Sequence, residues 1–308
     1  MPRIAKKERH AEKERFKSSL KEFTEELQAN VSAEDGEWTV KGFIDIFKNI
    51  YTISSDTKIV SKILEMHLFP KILEFAEKTG YNIVLAEHQN WYPDLSFVHK
   101  EYPRFKFALD LKTTYRDPEY PGHINGFTLG SHGAYFKDRT STKNIQFPYS
   151  EYSGHLCLGI IYTRTDGEDI DETEVIAVQE IADAETKVEK IGEREITSVE
   201  NLRSITSVIR DFQFFACEKW ELASDRQGSG NTENIGSITS IEDILKGNGV
   251  FAKLGEACFD EYWMNYKVTS MIKGGKATPI TRIEDFLTFK GKSHSLINKK
   301  IPKKKAKK

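Results

Sequence analysis

Two aspartates and a lysine offer the first chemistry in this chain: Pro93-Asp94, followed by Asp110-Leu111-Lys112. Hydrolysing a phosphodiester requires charge neutralisation at the phosphate, an activated water and relief of charge on the departing oxygen, and divalent cations supply much of this. Magnesium prefers hard oxygen ligands and keeps several waters, so one or two carboxylates hold it between protein and phosphate. Asp94 and Asp110 fit that requirement, with Mn2+ a possible substitute for Mg2+. Lys112 would bind a phosphate oxygen or assist the attacking water, and Glu65 is a candidate further acid at the metals. The same residues also allow another account. Asp94 can cap a turn after Pro93, an Asp beside a Lys on a strand can be a solvated ion pair, and Glu65 can be an ordinary surface glutamate.

A second constellation is Gly228-Ser229-Gly230-Asn231-Thr232, continued by Glu233 and Asn234-Ile-Gly-Ser237. It is too poor in apolar groups to pack, and its glycines permit close backbone approach to a ligand. The Asn231 amide offers a donor and an acceptor spaced to grip the edge of adenine. Taken alone, the stretch also reads as a flexible polar surface loop.

These groups need elements to hold them. Ile59, Ile63, Leu64, Leu68, Ile72 and Phe75 set a helical rhythm over 57–80, with Pro70 expected to kink or break it and Gly80 to end it. Short strands are expected at 82–86 and 94–98. In 105–112, Phe105, Phe107, Leu109 and Leu111 alternate with Lys106, Ala108, Asp110 and Lys112, which puts Asp110 and Lys112 on one face. If Asp94 opens one strand and Asp110 lies near the end of its antiparallel neighbour, the turn brings the carboxylates together. Residues 155–163, nearly all apolar, suit an interior strand. Residues 251–272 read as a helix, and 227–236 as a loop.

With 308 residues, 38% of them hydrophobic and including 19 Phe, 12 Tyr and 4 Trp, the chain can bury a large core. Cys157, Cys217 and Cys258 show neither a disulfide framework nor zinc-ligand spacing. The sequence carries no apolar stretch approaching a membrane span, and reads as a soluble cytoplasmic protein. The net charge of −2 hides strong local charge. Segment 166–200 has thirteen acidic residues against Lys187, Lys190 and Arg194, while 299–308 has seven lysines and no acid. The rest is balanced enough to gather basic groups on one concave face, so charge permits DNA binding without predicting it. Residues 1–20, with seven Lys or Arg and three Glu, read as an exposed helix or mobile arm.

The chain resembles the EcoRV-type family of type II restriction endonucleases. The resemblance rests on Ser55-Asp-Thr-Lys58, Gln89-Asn90 before Tyr92-Pro-Asp94, Asp110-Leu-Lys-Thr-Thr-Tyr115, Phe127-Thr-Leu-Gly130, Thr142-Lys-Asn-Ile145, Tyr162-Thr-Arg164, Gly228-Ser-Gly-Asn-Thr232 and Asn234-Ile-Gly-Ser237. These matches are collinear from about residue 38 to 270. The resemblance implies an α/β restriction-endonuclease-like PD-(D/E)XK core, with a central mixed five-stranded sheet flanked by helices. It further implies a bacterial, Mg2+-dependent homodimer that cuts a palindrome, GATATC, at its centre to leave blunt ends, alongside a cognate DNA methyltransferase.

Carried over residue by residue, Asp94, Asp110 and Lys112 would cut and Glu65 would be the auxiliary acid. Gly228, Ser229, Gly230, Asn231, Thr232 and Asn234 would read bases in the major groove. Gln89 and Asn90 would approach the minor groove, and Lys58, Thr113, Thr114, Lys143 and Arg164 would contact phosphates or position the duplex. Glu233 departs from the family's neutral loop residue, and a carboxylate near phosphates weakens binding unless it points away. After Trp263, where the family has arginines, this chain has Met264 and Val268 with Lys267 and Lys273 nearby.

The expected organisation is a basic extension over 1–20, a nuclease domain over 21–298 and a lysine-rich tail over 299–308. Within the domain lie a catalytic core at about 55–165, an acidic insertion at 166–200 and a recognition loop at 227–237. Two other readings stay open at this level: a structure-directed repair or recombination nuclease, and a sequence-specific DNA-binding protein without turnover.

Overall fold

The computed structural model describes residues 6–88, 90–165, 171, 173–180, 185–191, 194–200, 205–228 and 233–297. The elements that bear on the site are, in chain order, helix α1 (Lys6–Val31), helix α2 (Thr57–Thr79), strands β1 (Tyr81–Leu85), β2 (Leu95–His99), β3 (Lys106–Tyr115), β4 (Thr128–Ser131), β5 (Gly154–Arg164), β6 (Ile209–Glu218), β7 (Ala223–Gln227) and β8 (Asn234–Ser237), and helix α3 (Glu256–Asn265). The central sheet runs in the order β6-β5-β3-β2-β1. It is mixed: β3 and β5 are parallel and the other neighbours antiparallel.

Period-two alternation in β3 explains how the sheet buries both faces. Phe107 and Leu109 pack with α1 and α2 on one side, while Ala108 belongs to a second core against Phe136, Tyr149 and the C-terminal helices. Gly159 in β5 has no room for a side chain, because a Cβ there would meet the Phe215 ring at 1.9 Å. Beside this sheet, β7, β8 and β4 form a smaller three-stranded sheet that carries the ends of the 228–234 loop.

α2 is not broken at Pro70. Leu68 and Ile72, on either side of it, are fully buried, and packing of that apolar face offsets the lost backbone bond. Asp56 caps the helix start by accepting the amides of Lys58 and Ile59, and Gly80, at φ 84°, takes the left-handed conformation at its end.

Two expectations are corrected. Residues 6–20 are helical, with one face exposed, but they are no extension outside the fold: they open α1, whose Phe16, Leu20, Phe23, Leu27 and Val31 are buried at helical spacing, with Phe16 stacked on Phe107 at 4.3 Å. Even the charged face is partly built in, since Lys13 and Lys17 reach Glu218 and Glu221, each at 2.8 Å. Residues 251–272 are not one helix. Gly255, at φ 88°, separates a short helix (Val250–Leu254) from α3, and the chain then turns into the strand Ser270–Lys273. In the acidic segment the described parts form the strands Val175–Ala177, Glu185–Ile191 and Arg194–Glu200, the last two paired antiparallel. The lysine-rich tail at 299–308 lies outside the described residues. Among the described residues no helix is long and apolar enough to cross a membrane.

Candidate active site

The antiparallel pairing of β2 with β3 sets the site. Leu95 lies opposite Leu109, so the residue just before β2, Asp94, comes beside Asp110. The Leu111 amide donates to Asp94 Oδ2 at 2.8 Å, and the Asp94 amide points at Asp110 Oδ1 from 3.4 Å. Lys112, two residues along β3 on the same face, places Nζ 3.1 Å from Asp110 Oδ2. Asp110 is buried at 4% exposure, whereas Asp94 opens onto a cleft of about 360 Å³.

Electrostatics follow from this crowding. Dense protein behind Asp94, then the like charge of Asp110, push its carboxyl up to about 6, against the opposing pull of Lys112 and the Leu111 amide. Burial pulls Lys112 down, but Asp110 and Asp94 outweigh it and hold the ammonium above its ordinary range. Two carboxylates against one ammonium leave negative charge facing the cleft. That is the donor chemistry a hard divalent cation fits: carboxylate oxygens on one side, and open space for waters and a phosphate on the other. Among the described residues, no cluster of three or more His, Cys, Asp or Glu forms a metal-ligating group, so the fit rests on Asp94 and Asp110.

The remaining sequence candidates divide by placement. Asn90 and Asn234 line the cleft, as do Thr128, Gly130 and Asn144. Glu65, on α2, does not line it: it pairs with Lys62 at 2.7 Å, although its charge still raises Asp94. Lys58 and Lys143 are exposed. Thr113 and Thr114 point to opposite faces, since they pair with Ile160 and Ile161 of the two separate cores; Thr114 is buried and donates to the Asn125 carbonyl. Arg164 lies over the Tyr115 ring at 3.7 Å. Gln89, Ser229, Gly230, Asn231 and Thr232 lie outside the described residues.

The base of the 228–234 loop is described. The Gly228 amide donates to the Asn234 carbonyl at 3.0 Å, closing the loop as a hairpin between β7 and β8. Asn234 pairs with Ser131 of β4, and this pairing carries the loop to the rim of the cleft. Gly228 and Gly236 touch: a Cβ on Gly228 would lie 2.7 Å from Thr128 Cγ2, and one on Gly236 would lie 2.8 Å from the Arg226 carbonyl oxygen. These glycines are required for close approach.

Sequence reasoning gave no role to Tyr92, Tyr135 or His132. Tyr92 and Tyr135, both buried, stack at 5.3 Å and line the cleft. Buried His132 pairs with Gln227 at 3.1 Å, and Gln227 accepts from Lys267 at 2.7 Å. Only their neighbourhood to the matched motifs could have signalled them.

A mixed sheet that presents two carboxylates and a lysine at one antiparallel step defines a restriction-endonuclease-like nuclease. The family model "Restriction endonuclease EcoRV" matches residues 34–192 and 186–291. The chain is also 33% identical over 255 residues, 82% of its length, to "Type II restriction enzyme EcoRV" of Escherichia coli, covering 93% of that protein. The chain therefore belongs to the EcoRV family of type II restriction endonucleases. It is a site-specific nuclease that binds double-stranded DNA.

Proposed function

We propose that this enzyme hydrolyses both strands of a palindromic site, GATATC, at its centre, using Mg2+ held by Asp94 and Asp110. The observation that carries the reading is the convergence of Asp94, Asp110 and Lys112 on a cleft whose rim is Asn234, at the foot of the recognition loop. A bound cation would neutralise charge on the scissile phosphate and lower the pKa of a coordinated water. The chain's own residues do the rest. Asp110, braced by Lys112, and Asp94, braced by the Leu111 amide, hold fixed directions for ligation, and the Lys112 ammonium, kept charged by its two neighbours, faces the phosphate. Glu65 acts on the site through its field on Asp94.

Gly228, Ser229, Gly230, Asn231, Thr232 and Asn234 read base edges by backbone groups, the asparagine amide and a threonine methyl on thymine. Gln89 and Asn90 approach from the minor-groove side. Lys58, Thr113, Lys143 and Arg164 orient the backbone, whereas Thr114 acts by fixing the 125 turn. Opening the centre of the target so that its phosphates reach Asp94 costs least at a flexible TA step.

A homodimer fits the palindrome. The small sheet of Phe43–Ile44, Asn49–Tyr51 and Val175–Ala177 exposes Phe43, Ile44, Ile46 (90%) and Phe47 (77%), an apolar patch that water would otherwise wet. We assign it as the surface where two copies meet. A cognate methyltransferase would protect the host's own sites.

The test is digestion of plasmid DNA with and without Mg2+, with sequencing of every end. Blunt ends at GATATC only with metal are expected. Discrete ends at another palindrome would overturn the loop assignment and leave the chemistry standing; an intact plasmid under all divalent metals would overturn the chemistry.

A further inference from the structure

Lys219 opens the short helix Lys219–Leu222 that follows β6, and it is only 1% exposed. Its Nζ has no hydrogen-bond partner among the described residues. It lies instead among ring faces, 5.0 Å from the Tyr92 centroid and 5.8 Å from those of Phe136 and Tyr149. The two glutamates flanking it are taken on the other side of the sheet, Glu218 by Lys13 and Glu221 by Lys17. Aromatic faces recover only part of an ammonium's lost hydration, so a buried lysine without a counter-ion costs stability. A charge kept at such cost, next to a cleft, points to function.

The cleft is the candidate active site. Asp110, Cys157 and Cys217 sit side by side across β3, β5 and β6, on one face of the sheet, and Lys219 follows two residues later. Tyr92, whose ring covers the ammonium, is two residues before Asp94. Gly130, at the cleft's edge, has so little room that an added Cβ would lie 3.5 Å from Lys219 Nζ and 3.2 Å from Tyr135 Oη. Burial lowers Lys219 to about 8, with the negative charge of Asp110 opposing that fall, so the side chain is mainly a cation at pH 7. His155 adds no charge here, since burial and then Lys219 itself keep its ring neutral.

We propose that Lys219 is a positioning residue whose buried ammonium is a fixed counter-charge behind the Asp94–Asp110 pair, weakening divalent-cation binding to the DNA-free protein. The inference rests on the reading of Asp94 and Asp110 as metal ligands. A divalent cation feels the lysine's repulsion twice as strongly as a proton does, so removing that charge favours metal over proton on the same carboxylates. The ammonium thereby discourages tight metal capture in the absence of substrate.

The experiment measures Mn2+ binding to the full-length, DNA-free protein at pH 7 by electron paramagnetic resonance of the free ion. Wild type, Lys219→Met and Asp110→Asn are compared, with thermal unfolding of each in EDTA. Asp110→Asn defines the Mn2+ bound at the site. Lys219→Met is expected to tighten that binding about tenfold and to raise the unfolding temperature, because an unpaired charge is replaced by an apolar chain of similar length. A packing role alone would move the unfolding temperature and leave the affinity in place. Tightening of less than threefold, with Asp110→Asn still weakening binding, overturns the role of Lys219. Mn2+ binding unaffected by Asp110→Asn overturns the metal-site reading and this inference with it. If Lys219→Met does not fold, Lys219→Gln removes the same charge and decides by the same threshold.

Discussion

Replacing Asp94 by asparagine should make the metal-free protein more stable while abolishing its cleavage. Raising an aspartate from 3.8 to about 6 on folding costs roughly 3 kcal/mol once the carboxylate is ionised. Asp94 opens onto solvent in the cleft, so screening reduces the usable figure to about 1 kcal/mol. Asparagine can keep the hydrogen bond from the Leu111 amide, so little of that gain is given back. In a chain of this size about 1 kcal/mol is about 2 °C in unfolding temperature.

The sign fixes the pH window. The folded-state value lies above the unfolded one, so the wild type carries the full penalty above about pH 6. That penalty shrinks as Asp94 protonates in the folded state and is lost as the pH falls to about 4 and below. Calorimetry in EDTA should therefore show Asp94→Asn unfolding about 2 °C higher than wild type at pH 8, with the difference closing as the pH falls to about 4. A lower unfolding temperature at pH 8, or a difference independent of pH, would refute the argument that crowding with Asp110 strains this carboxylate.

Gly236→Ala should cost about 1–3 kcal/mol and blunt specific cleavage, because its Cβ meets the Arg226 carbonyl and the Gly228 backbone; wild-type melting and digestion would contradict the close packing. Glu233 is exposed beside the loop, and Glu233→Gln should tighten DNA binding about threefold at 0.1 M salt, an effect that fades at high salt in titrations by fluorescence anisotropy. Phe47→Asp should shift the mass by light scattering from about twice 35.3 kDa towards the single-chain value; a monomeric wild type would remove the assigned dimer surface. Cleavage should fall steeply below about pH 6 as protons compete with the metal for Asp94, which a pH–rate profile at fixed Mg2+ would show.

The parts of this protein set by short-range pattern were legible in its sequence. Alternation in β3 put Asp110 and Lys112 on one face, and the Pro93-Asp94 step before β2 put the second carboxylate within reach, since side chains on a strand repeat every two residues. The polar, glycine-rich stretch from 228 marked a loop, but the close contact of Gly228 with Gly236 at its base came only from the structure. What misled was the charge of residues 6–20. The apolar stripe from Phe16 to Val31 straddles the point where the basic stretch ends, so charge content concealed a helix that the core needs. The break expected at Pro70 was overruled by the burial of Leu68 and Ile72, and the single helix expected over 251–272 is divided by the backbone conformation at Gly255 and ends at Asn265. Only the tertiary structure could decide that Lys219, more than a hundred residues beyond Asp110, is buried under the Tyr92 ring two residues before Asp94, and that His132 and Gln227 meet. Those contacts join segments far apart in the chain. No local periodicity encodes them, because burial depends on the whole sheet being assembled.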